Sequence, residues 1–183
     1  MVLLKDNIHK RQKAIAKIIR PYLTGRVLDV GCGDTLVAKY TGHRDIIGID
    51  IKKPKVEFIP FGIFDGEKIP FGDKTFDTVI STFVIHHAKH PSILLSELVR
   101  VGKRLIILED KYDNPKDVLS IQTLHVKLLL KFSMGYNIFG FRSKKNWISS
   151  FNNMGLDIKK VRECSKVYSW PGLKHYLFIL ESP

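Results

Sequence analysis

VLDVGCGDT, residues 27–35, is a short apolar strand signal that leads directly into two glycines separated by one residue. A residue without a Cβ allows the backbone to turn sharply and allows a ligand to approach it closely. Carboxylates stand on both sides of the turn, at Asp29 and Asp34. The pattern predicts a strand that ends at a ligand-binding turn.

Strand and helix signals alternate along the rest of the chain. Strands are predicted at 27–30, 46–50, 78–84, 104–108, 156–163 and 174–180, and helices at 8–20, 35–40, 91–101, 115–132 and 144–153. In the first helix Ile8, Ile15, Ile18 and Ile19 share one face. Alternating elements favour a mostly parallel sheet with helices on both faces. Such sheets bind ligands outside the carboxyl ends of their strands, where the turn after the first strand emerges.

The charges near the turn indicate which ligand it accepts. A dinucleotide fingerprint needs a third glycine at position 36, where this chain has Leu36, and Asp34 would repel a pyrophosphate. A cationic ligand is favoured instead. Asp50 follows Gly31 by nineteen residues, at the end of the second strand, where a carboxylate can accept hydrogen bonds from ribose hydroxyls. S-adenosylmethionine has both a ribose and positive charge.

Five segments in order carry a family resemblance: VLDVGCGDT (27–35), IIGIDI (46–51), FDGEKIPFGDKTFDTVI (64–80), STFVIHH (81–87) and SELVRV (96–101). In them the sequence resembles the class I S-adenosylmethionine-dependent methyltransferases, specifically the ubiquinone/menaquinone biosynthesis (methyltransferase type 11) branch. The resemblance implies an α/β, Rossmann-like, doubly wound and mostly parallel seven-stranded sheet with the last strand antiparallel. It also implies methyl transfer by in-line displacement, with S-adenosyl-L-homocysteine as the product.

The resemblance also implies which residues bind the cofactor. Asp29, Gly31 and Gly33 would line its methionine part, and Asp50 its ribose. Ile51 would pack on the adenine ring and Asp65 would bind the adenine amino group, while Ser81 would begin the loop that faces the methyl. With the neighbouring turn residues, the full set is Asp29, Gly31, Cys32, Gly33, Asp50, Ile51, Asp65, Gly66 and Ser81. The segment between Asp50 and the strand leading to Asp65 is short and contains two prolines, so a loop is expected there instead of a helix.

His86 and His87 follow the strand at 78–84 and are the candidate catalytic residues. Imidazole titrates near neutrality, which suits a general base. The alternative is a turn histidine that hydrogen-bonds to backbone. Together with His90 they spell H-H-x-x-H, but no acidic or cysteine partner is near in sequence, and we expect no metal site.

The net charge of +12 is concentrated at the two ends of the chain. Residues 1–26 carry seven Lys/Arg and one acid, and residues 111–183 carry twelve and five, whereas residues 27–110 are nearly neutral. An anionic partner, either RNA or a membrane surface, would therefore meet the ends. The alternative is a solvated surface that binds nothing.

Acceptor specificity is expected outside the common core. A basic amphipathic helix is predicted at 116–132, and Tyr136, Phe139 and Phe141 follow beside glycines as lid candidates. A small-molecule or lipid-like acceptor is favoured. An RNA (tRNA or rRNA) methyltransferase and a non-catalytic cofactor-binding accessory protein remain alternatives, as does a helix that only packs on the sheet edge.

A single methyltransferase domain is expected over residues 1–183. Its parts are a basic N-terminal helix (1–26), the cofactor-binding core (27–110), an inserted helix and aromatic lid (111–142), and a C-terminal helix with strands (143–183). Without a secretory signal, and with only Cys32 and Cys164, the sequence indicates a cytoplasmic protein, with a peripheral position at a membrane surface as the alternative. The oligomeric state is left open.

Overall fold

The computed structural model describes residues 2–119, 121–123, 140–165, 167 and 174–182, and the backbone alone for residues 2–7. Its helices are α1 (Val2–Ile19), α2 (Leu36–Thr41), α3 (Pro91–Val101) and α4 (Lys144–Asn153), with 3-10 helices at Arg20–Tyr22 and Ile85–His87. Its strands are β1 (Val27–Val30), β2 (Ile46–Asp50), β3 (Phe61–Ile63), β4 (Phe76–Thr82), β5 (Gly102–Asp110), β6 (Asp157–Ser165) and β7 (Lys174–Glu181). Residues 115–119 and 121–123 are also helical.

The strands form one seven-stranded sheet in the order β3-β2-β1-β4-β5-β7-β6. Strands β1 to β5 pair in parallel, and β7 runs antiparallel to both of its neighbours. The predicted doubly wound sheet with an antiparallel last strand is therefore confirmed. Because the chain goes outward from β1 through β2 and β3 and then returns to β4, the strand order reverses between β1 and β4. The carboxyl ends of these two strands flank the ligand crevice of this fold class.

Apolar side chains cover both faces of the sheet. On one face the strands pack against Leu94, Leu95 and Leu98 of α3 and Trp147 and Phe151 of α4. On the other face they pack against Ile15 and Ile19 of α1 and Val37 and Ala38 of α2. Because β1 is buried on both faces, it reads as a nearly continuous apolar run. Burial of β1 fixes the position of the glycine turn that follows it.

Several local features depart from the predicted elements. Strand β4 ends at Thr82, two residues earlier than expected, because Phe83 adopts a left-handed conformation (φ 60°) that stops the extended backbone. Ile8 lies on the same helical face as the buried Ile15 and Ile19, but its own side chain is 42% exposed. The segment between β2 and β3 has no helix, as its prolines predicted.

The acceptor region is described only in part. The helix predicted at 115–132 is present over its described residues, 115–119 and 121–123. The remainder of that helix, and the lid candidates Tyr136 and Phe139, lie outside the described residues. Among the residues described, none of the helices has both the length and the apolar character needed to cross a membrane.

Candidate functional site

The glycine turn after β1 has two glycines with different roles. Both have positive φ angles, 72° at Gly31 and 53° at Gly33. A Cβ at Gly31 would lie 2.4 Å from Cγ2 of Val84, so only glycine fits there. At Gly33 no atom lies within 4 Å of the corresponding position. Gly31 therefore allows the connection after β4 to pack on the turn, and Gly33 leaves the outer side of the turn open to a ligand.

Asp29, near the end of β1, has a buried carboxylate. Its side chain is 1% exposed, and neither carboxylate oxygen has a hydrogen-bond partner among the described residues. Burial, reinforced by the nearby carboxylates of Asp50 and Asp34, raises the pKa of Asp29 to about 7. An unsatisfied buried polar group costs about 1–3 kcal/mol. A positively charged or hydrogen-bond-donating ligand would offset that cost.

Asp50 connects the end of β2 to the glycine turn. Its Oδ2 accepts a hydrogen bond from the backbone N–H of Gly33 at 2.8 Å, and its Oδ1 accepts one from the N–H of Lys52 at 3.2 Å. Each oxygen of a carboxylate has a second lone pair, which remains available to a ligand hydroxyl. The carboxylate can therefore orient the turn and bind a vicinal diol at the same time.

The residues predicted on the adenine side surround a second, exposed surface. Ile51 is 57% exposed, and a Cβ added to Gly66 would lie 3.1 Å from Cγ2 of Ile51, so these two residues are close neighbours. The backbone N–H groups of Glu67 and Lys68 donate to Oδ1 of Asp65, at 2.8 and 2.7 Å, and they lower the pKa of that carboxyl. The structure thus presents an exposed apolar side chain beside an ionised carboxylate.

Two predicted cofactor residues, Cys32 and Ser81, are buried. The Cys32 thiol packs on β2, where a Cβ at Gly48 would lie 2.6 Å from the sulfur. Burial, followed by the Asp29 carboxylate, raises the pKa of this thiol, so Cys32 does not supply a thiolate nucleophile. Ser81 is 1% exposed near the end of β4, and its Oγ has no hydrogen-bond partner in the described part of the chain.

The two candidate catalytic histidines have different environments. His87 is exposed, whereas His86 is 2% exposed and its Nδ1 lies 2.5 Å from Oε2 of Glu109. The other oxygen of Glu109 accepts a hydrogen bond from the N–H of Ile85 at 2.9 Å. Burial alone would lower the pKa of His86, but the charge and hydrogen bond of Glu109, helped by the charge of Asp110, raise it.

The sequence did not predict the contact between His86 and Glu109. They are 23 residues apart, and no local motif joins them. The available signal was topological: Glu109 is at the carboxyl end of β5, and β5 pairs in parallel with β4, which His86 follows. The next residue, Asp110, pairs with the buried His175, which lies directly opposite it in the antiparallel β5–β7 pair, at 2.8 Å between Oδ1 and Nδ1.

Phe141, the lid candidate that the structure describes, and the neighbouring Gly140 lie directly against His86. Phe141 stacks on the His86 ring with a centroid distance of 4.5 Å, and on Tyr112 with one of 5.4 Å. A Cβ on Gly140 would be 2.0 Å from the carbonyl oxygen of His86, so the lid backbone makes close contact with this residue. Aromatic rings and a buried imidazole therefore form one wall at the carboxyl ends of β4 and β5.

Comparison with known proteins connects this geometry to a family. Residues 28–105 match the family model described as a methyltransferase domain. An uncharacterized methyltransferase of Schizosaccharomyces pombe is 32% identical over 102 residues, which are 44% of this chain and 37% of that protein. A ubiquinone/menaquinone biosynthesis C-methyltransferase of Paraburkholderia xenovorans is 35% identical over 149 residues, or 67% of this chain and 60% of that protein.

Solved structures share the fold. The crystal structure of magnesium protoporphyrin IX methyltransferase from Synechocystis with bound SAH has a TM-score of 0.66 and 16% sequence identity, with 100% of this chain and 88% of that chain covered. At that identity the likeness concerns the fold alone. The chain spans less than two thirds of the length of each curated relative, 37% of the Schizosaccharomyces protein and 60% of the Paraburkholderia protein.

Proposed function

The chain carries a class I S-adenosylmethionine-dependent methyltransferase domain that resembles the ubiquinone/menaquinone biosynthesis branch, and from this premise we propose that it methylates a small, lipid-like acceptor. The observation that carries the cofactor part of this proposal is the buried carboxylate of Asp29. It has no hydrogen-bond partner among the described residues, and it lies beside a glycine turn whose outer side is open. A cationic amino-acid moiety is the kind of ligand that such a carboxylate stabilises.

The proposed cofactor residues surround the carboxyl ends of β1 and β2. Asp29 and the backbone at Gly31, Cys32 and Gly33 would hold the methionine part of the cofactor, and Asp50 would accept hydrogen bonds from the ribose. The remaining contacts would come from Ile51, Asp65, Gly66 and Ser81. When bound, S-adenosylmethionine supplies an activated methyl group on a sulfonium, so the protein has mainly to bind and orient it and its acceptor.

The acceptor is proposed to lie against the wall formed by His86, Tyr112 and Phe141. Two stacked aromatic rings next to a buried imidazole provide apolar surface together with one polar group, which is the usual composition of a small-molecule pocket. The name of the Paraburkholderia relative, a ubiquinone/menaquinone biosynthesis enzyme, supports an acceptor with an apolar, lipid-soluble body.

A basic stripe on α1 supports a peripheral position at an anionic membrane surface. Lys10, Lys13 and Lys17 of α1 are all exposed and follow one another at intervals of three and four residues, which places them on one side of the helix, and the exposed Arg20 follows in the 3-10 helix. The same helix contacts the cofactor turn, because Gln12 donates a hydrogen bond to Asp34 at 3.3 Å. An anionic surface bound by this stripe would lie beside the proposed cofactor site, where a lipid-like acceptor could be taken up.

Cofactor binding can be tested without knowledge of the acceptor. S-adenosylhomocysteine is titrated calorimetrically into the wild type, Asp50→Ala and Asp45→Ala. Asp45 is exposed immediately before β2, at the opposite end of that strand, so its substitution removes the same charge away from the site. We expect Asp50→Ala to weaken binding about 10- to 100-fold, the loss of one or two hydrogen bonds to a charged group. Wild-type affinity in both variants would contradict the proposed ribose site.

The acceptor class can be identified with S-adenosylmethionine that carries a labelled methyl group. The protein is incubated with a cell extract of its source, and the label is followed into solvent-extractable, small polar, RNA and protein fractions, with Asp50→Ala as the background. Label in the solvent-extractable fraction would support the lipid-like acceptor. RNase-sensitive label would instead favour the RNA methyltransferase, and the absence of label above background would favour the accessory protein.

A further inference from the structure

We propose that Glu109 is a positioning residue that holds His86 as the general base of methyl transfer. The inference rests on the proposed function and makes it more specific. If a base is built into the site, the acceptor atom carries a proton that must leave, as in a hydroxyl, an amine or an acidic C–H group. Acceptors that have no such proton, such as thioethers and tertiary amines, would not need it.

The hydrogen bonds of Glu109 fix the position of its carboxylate. One oxygen accepts from the backbone N–H of Ile85 and the other lies 2.5 Å from Nδ1 of His86, so the carboxylate bridges two neighbouring residues of the 3-10 helix after β4. Glu109 itself is 1% exposed and belongs to a fully paired central strand. The imidazole is therefore held by a rigid part of the sheet.

The partner of Nδ1 determines which nitrogen of His86 can accept a proton. An ionised carboxylate only accepts hydrogen bonds, so Nδ1 of His86 must carry the hydrogen. In the neutral imidazole the lone pair is then on Nε2. Glu109 thus selects the tautomer with a basic Nε2, and its negative charge stabilises the imidazolium that forms when that atom takes a proton.

His86 also lies on the side of the fold where the proposed cofactor site is. Val84, two residues before it, packs directly on Gly31, and the reversal of strand order between β1 and β4 is at the same edge of the sheet. Phe141 stacks on the His86 ring, and the backbone at Gly140 lies against the His86 carbonyl. His86 is only 2% exposed, and this burial strengthens its interaction with Glu109.

The proposed step balances in atoms and charge. The acceptor donates an electron pair to the methyl carbon as the carbon–sulfur bond breaks, and the electron pair of that bond stays on sulfur as a neutral thioether. The acceptor's proton passes to Nε2 of His86, giving an imidazolium beside the Glu109 carboxylate. Water removes the proton before the next turnover.

Several charged or titratable groups surround His86. Burial and the cationic Arg11 of α1 disfavour its protonation, whereas Glu109 and Asp110 of β5 favour it, and the neighbouring ring of His87 lies 3.9 Å away between centroids. The favourable charges prevail, so the pKa of His86 is raised. Glu109→Gln keeps an oxygen for the Ile85 N–H but removes the charge, so it should lower this pKa. The amide can also donate to Nδ1, which selects the opposite tautomer.

The decisive measurement is made on the protein alone. Protein labelled with 15N in its seven histidines is titrated by NMR, and the His86 signals are assigned with His86→Gln. We expect the wild type to show the Nδ1–H tautomer and a raised pKa, and Glu109→Gln to show the Nε2–H tautomer and a pKa lower by about one unit or more. The same tautomer and pKa in both proteins would overturn the proposal.

Asp110→Asn is the matched control, because it neutralises the adjacent buried carboxylate, which pairs with His175. It should leave the tautomer of His86 unchanged. A change of tautomer in Asp110→Asn equal to that in Glu109→Gln would mean that general loosening of β5, and not the contact with Glu109, sets the state of His86, which would overturn the proposal.

Methyl transfer provides the second readout. The label from S-adenosylmethionine should enter the acceptor fraction about 100-fold more slowly with Glu109→Gln at pH 7, while S-adenosylhomocysteine binds within about twofold of wild type. The deficit should narrow as pH rises, because hydroxide can replace the lost base. A deficit that is constant across pH would indicate a structural role and overturn the proposal.

If the wild type did not bind S-adenosylhomocysteine, the proposed function would fail, while the NMR result would still decide the pairing.

Discussion

At the scale of single residues, the buried carboxylate of Asp29 lowers the stability of the folded protein and is available to bind a ligand. In the unfolded chain this carboxyl ionises near its ordinary pKa of 3.8, whereas in the folded protein its pKa is about 7. At pH values between these two, this carboxyl binds a proton in the folded state but has lost it in the unfolded state. The contribution of Asp29 to the free energy of unfolding therefore falls as pH rises through this interval and is constant above it.

We expect Asp29→Asn to be more stable than wild type at neutral and alkaline pH, because its side chain has no charge to bury. The difference in unfolding free energy between variant and wild type should increase by about 3 kcal/mol between pH 5 and pH 8, from two units of the shifted titration. Urea unfolding at both pH values measures it. A difference in stability that does not change with pH would show that the pKa of Asp29 is not raised in the folded protein. The same variant should bind S-adenosylhomocysteine at least about tenfold more weakly.

The positions of Asp29 and Asp50 at the carboxyl ends of two strands were predicted from the sequence, because Asp29 is the next-to-last residue of one apolar strand and Asp50 is the last residue of another. The pairing of His86 with Glu109 was not predicted, since it depends on which strands become neighbours in space. Ile8 shares the helical face that the periodicity predicted, yet it is 42% exposed. Helical periodicity gives the direction of a side chain, but whether a core lies in that direction depends on the rest of the fold.

At the scale of elements, the helices and six of the seven strands were predicted from their apolar patterns, and β3 was expected only as the strand that leads to Asp65. The connection over His86 was not predicted. The carbonyl of His86 lies so close to Gly140 that a Cβ there would be 2.0 Å away. No sequence pattern around Gly140 predicted that approach, because the two segments are distant in the chain and meet only when β4 and β5 pair. The glycine is needed for that contact.

We expect Gly140→Ala to displace the lid from His86. Overpacking against backbone costs about 1–3 kcal/mol, and here it would be relieved by outward movement of residues 140–142. Methyl transfer should fall, while affinity for S-adenosylhomocysteine stays near wild type, because the glycine turn is unaffected. Gly62→Ala in β3 is the control, since its nearest neighbour would be an ordinary 3.6 Å away. Equal losses of activity in the two variants would argue against a specific lid contact.

At the scale of the whole molecule, the fold separates the proposed cofactor site from most of the positive charge. The core, residues 27–110, is nearly neutral and has carboxylates around the glycine turn, which suits a cationic ligand. The N-terminal excess is displayed on α1, whose inner face packs on the sheet through Ile15 and Ile19. One helix therefore combines a buried apolar face, a hydrogen bond to the glycine turn and an exposed cationic stripe.

That arrangement predicts binding to anionic vesicles through α1. The triple variant Lys10→Gln, Lys13→Gln and Lys17→Gln should bind phosphatidylserine vesicles about 10- to 100-fold more weakly than wild type in a sedimentation assay, since each lysine near such a surface contributes about 1 kcal/mol. The wild-type affinity should fall with added salt, and neutral phosphatidylcholine vesicles should not bind. The control removes the same charge elsewhere, at the exposed Lys52, Lys68 and Lys89. If the affinity for anionic vesicles falls equally in both triple variants, net charge alone attracts the protein to the surface. If it falls only in the α1 variant, the contact belongs to the helix beside the proposed cofactor site.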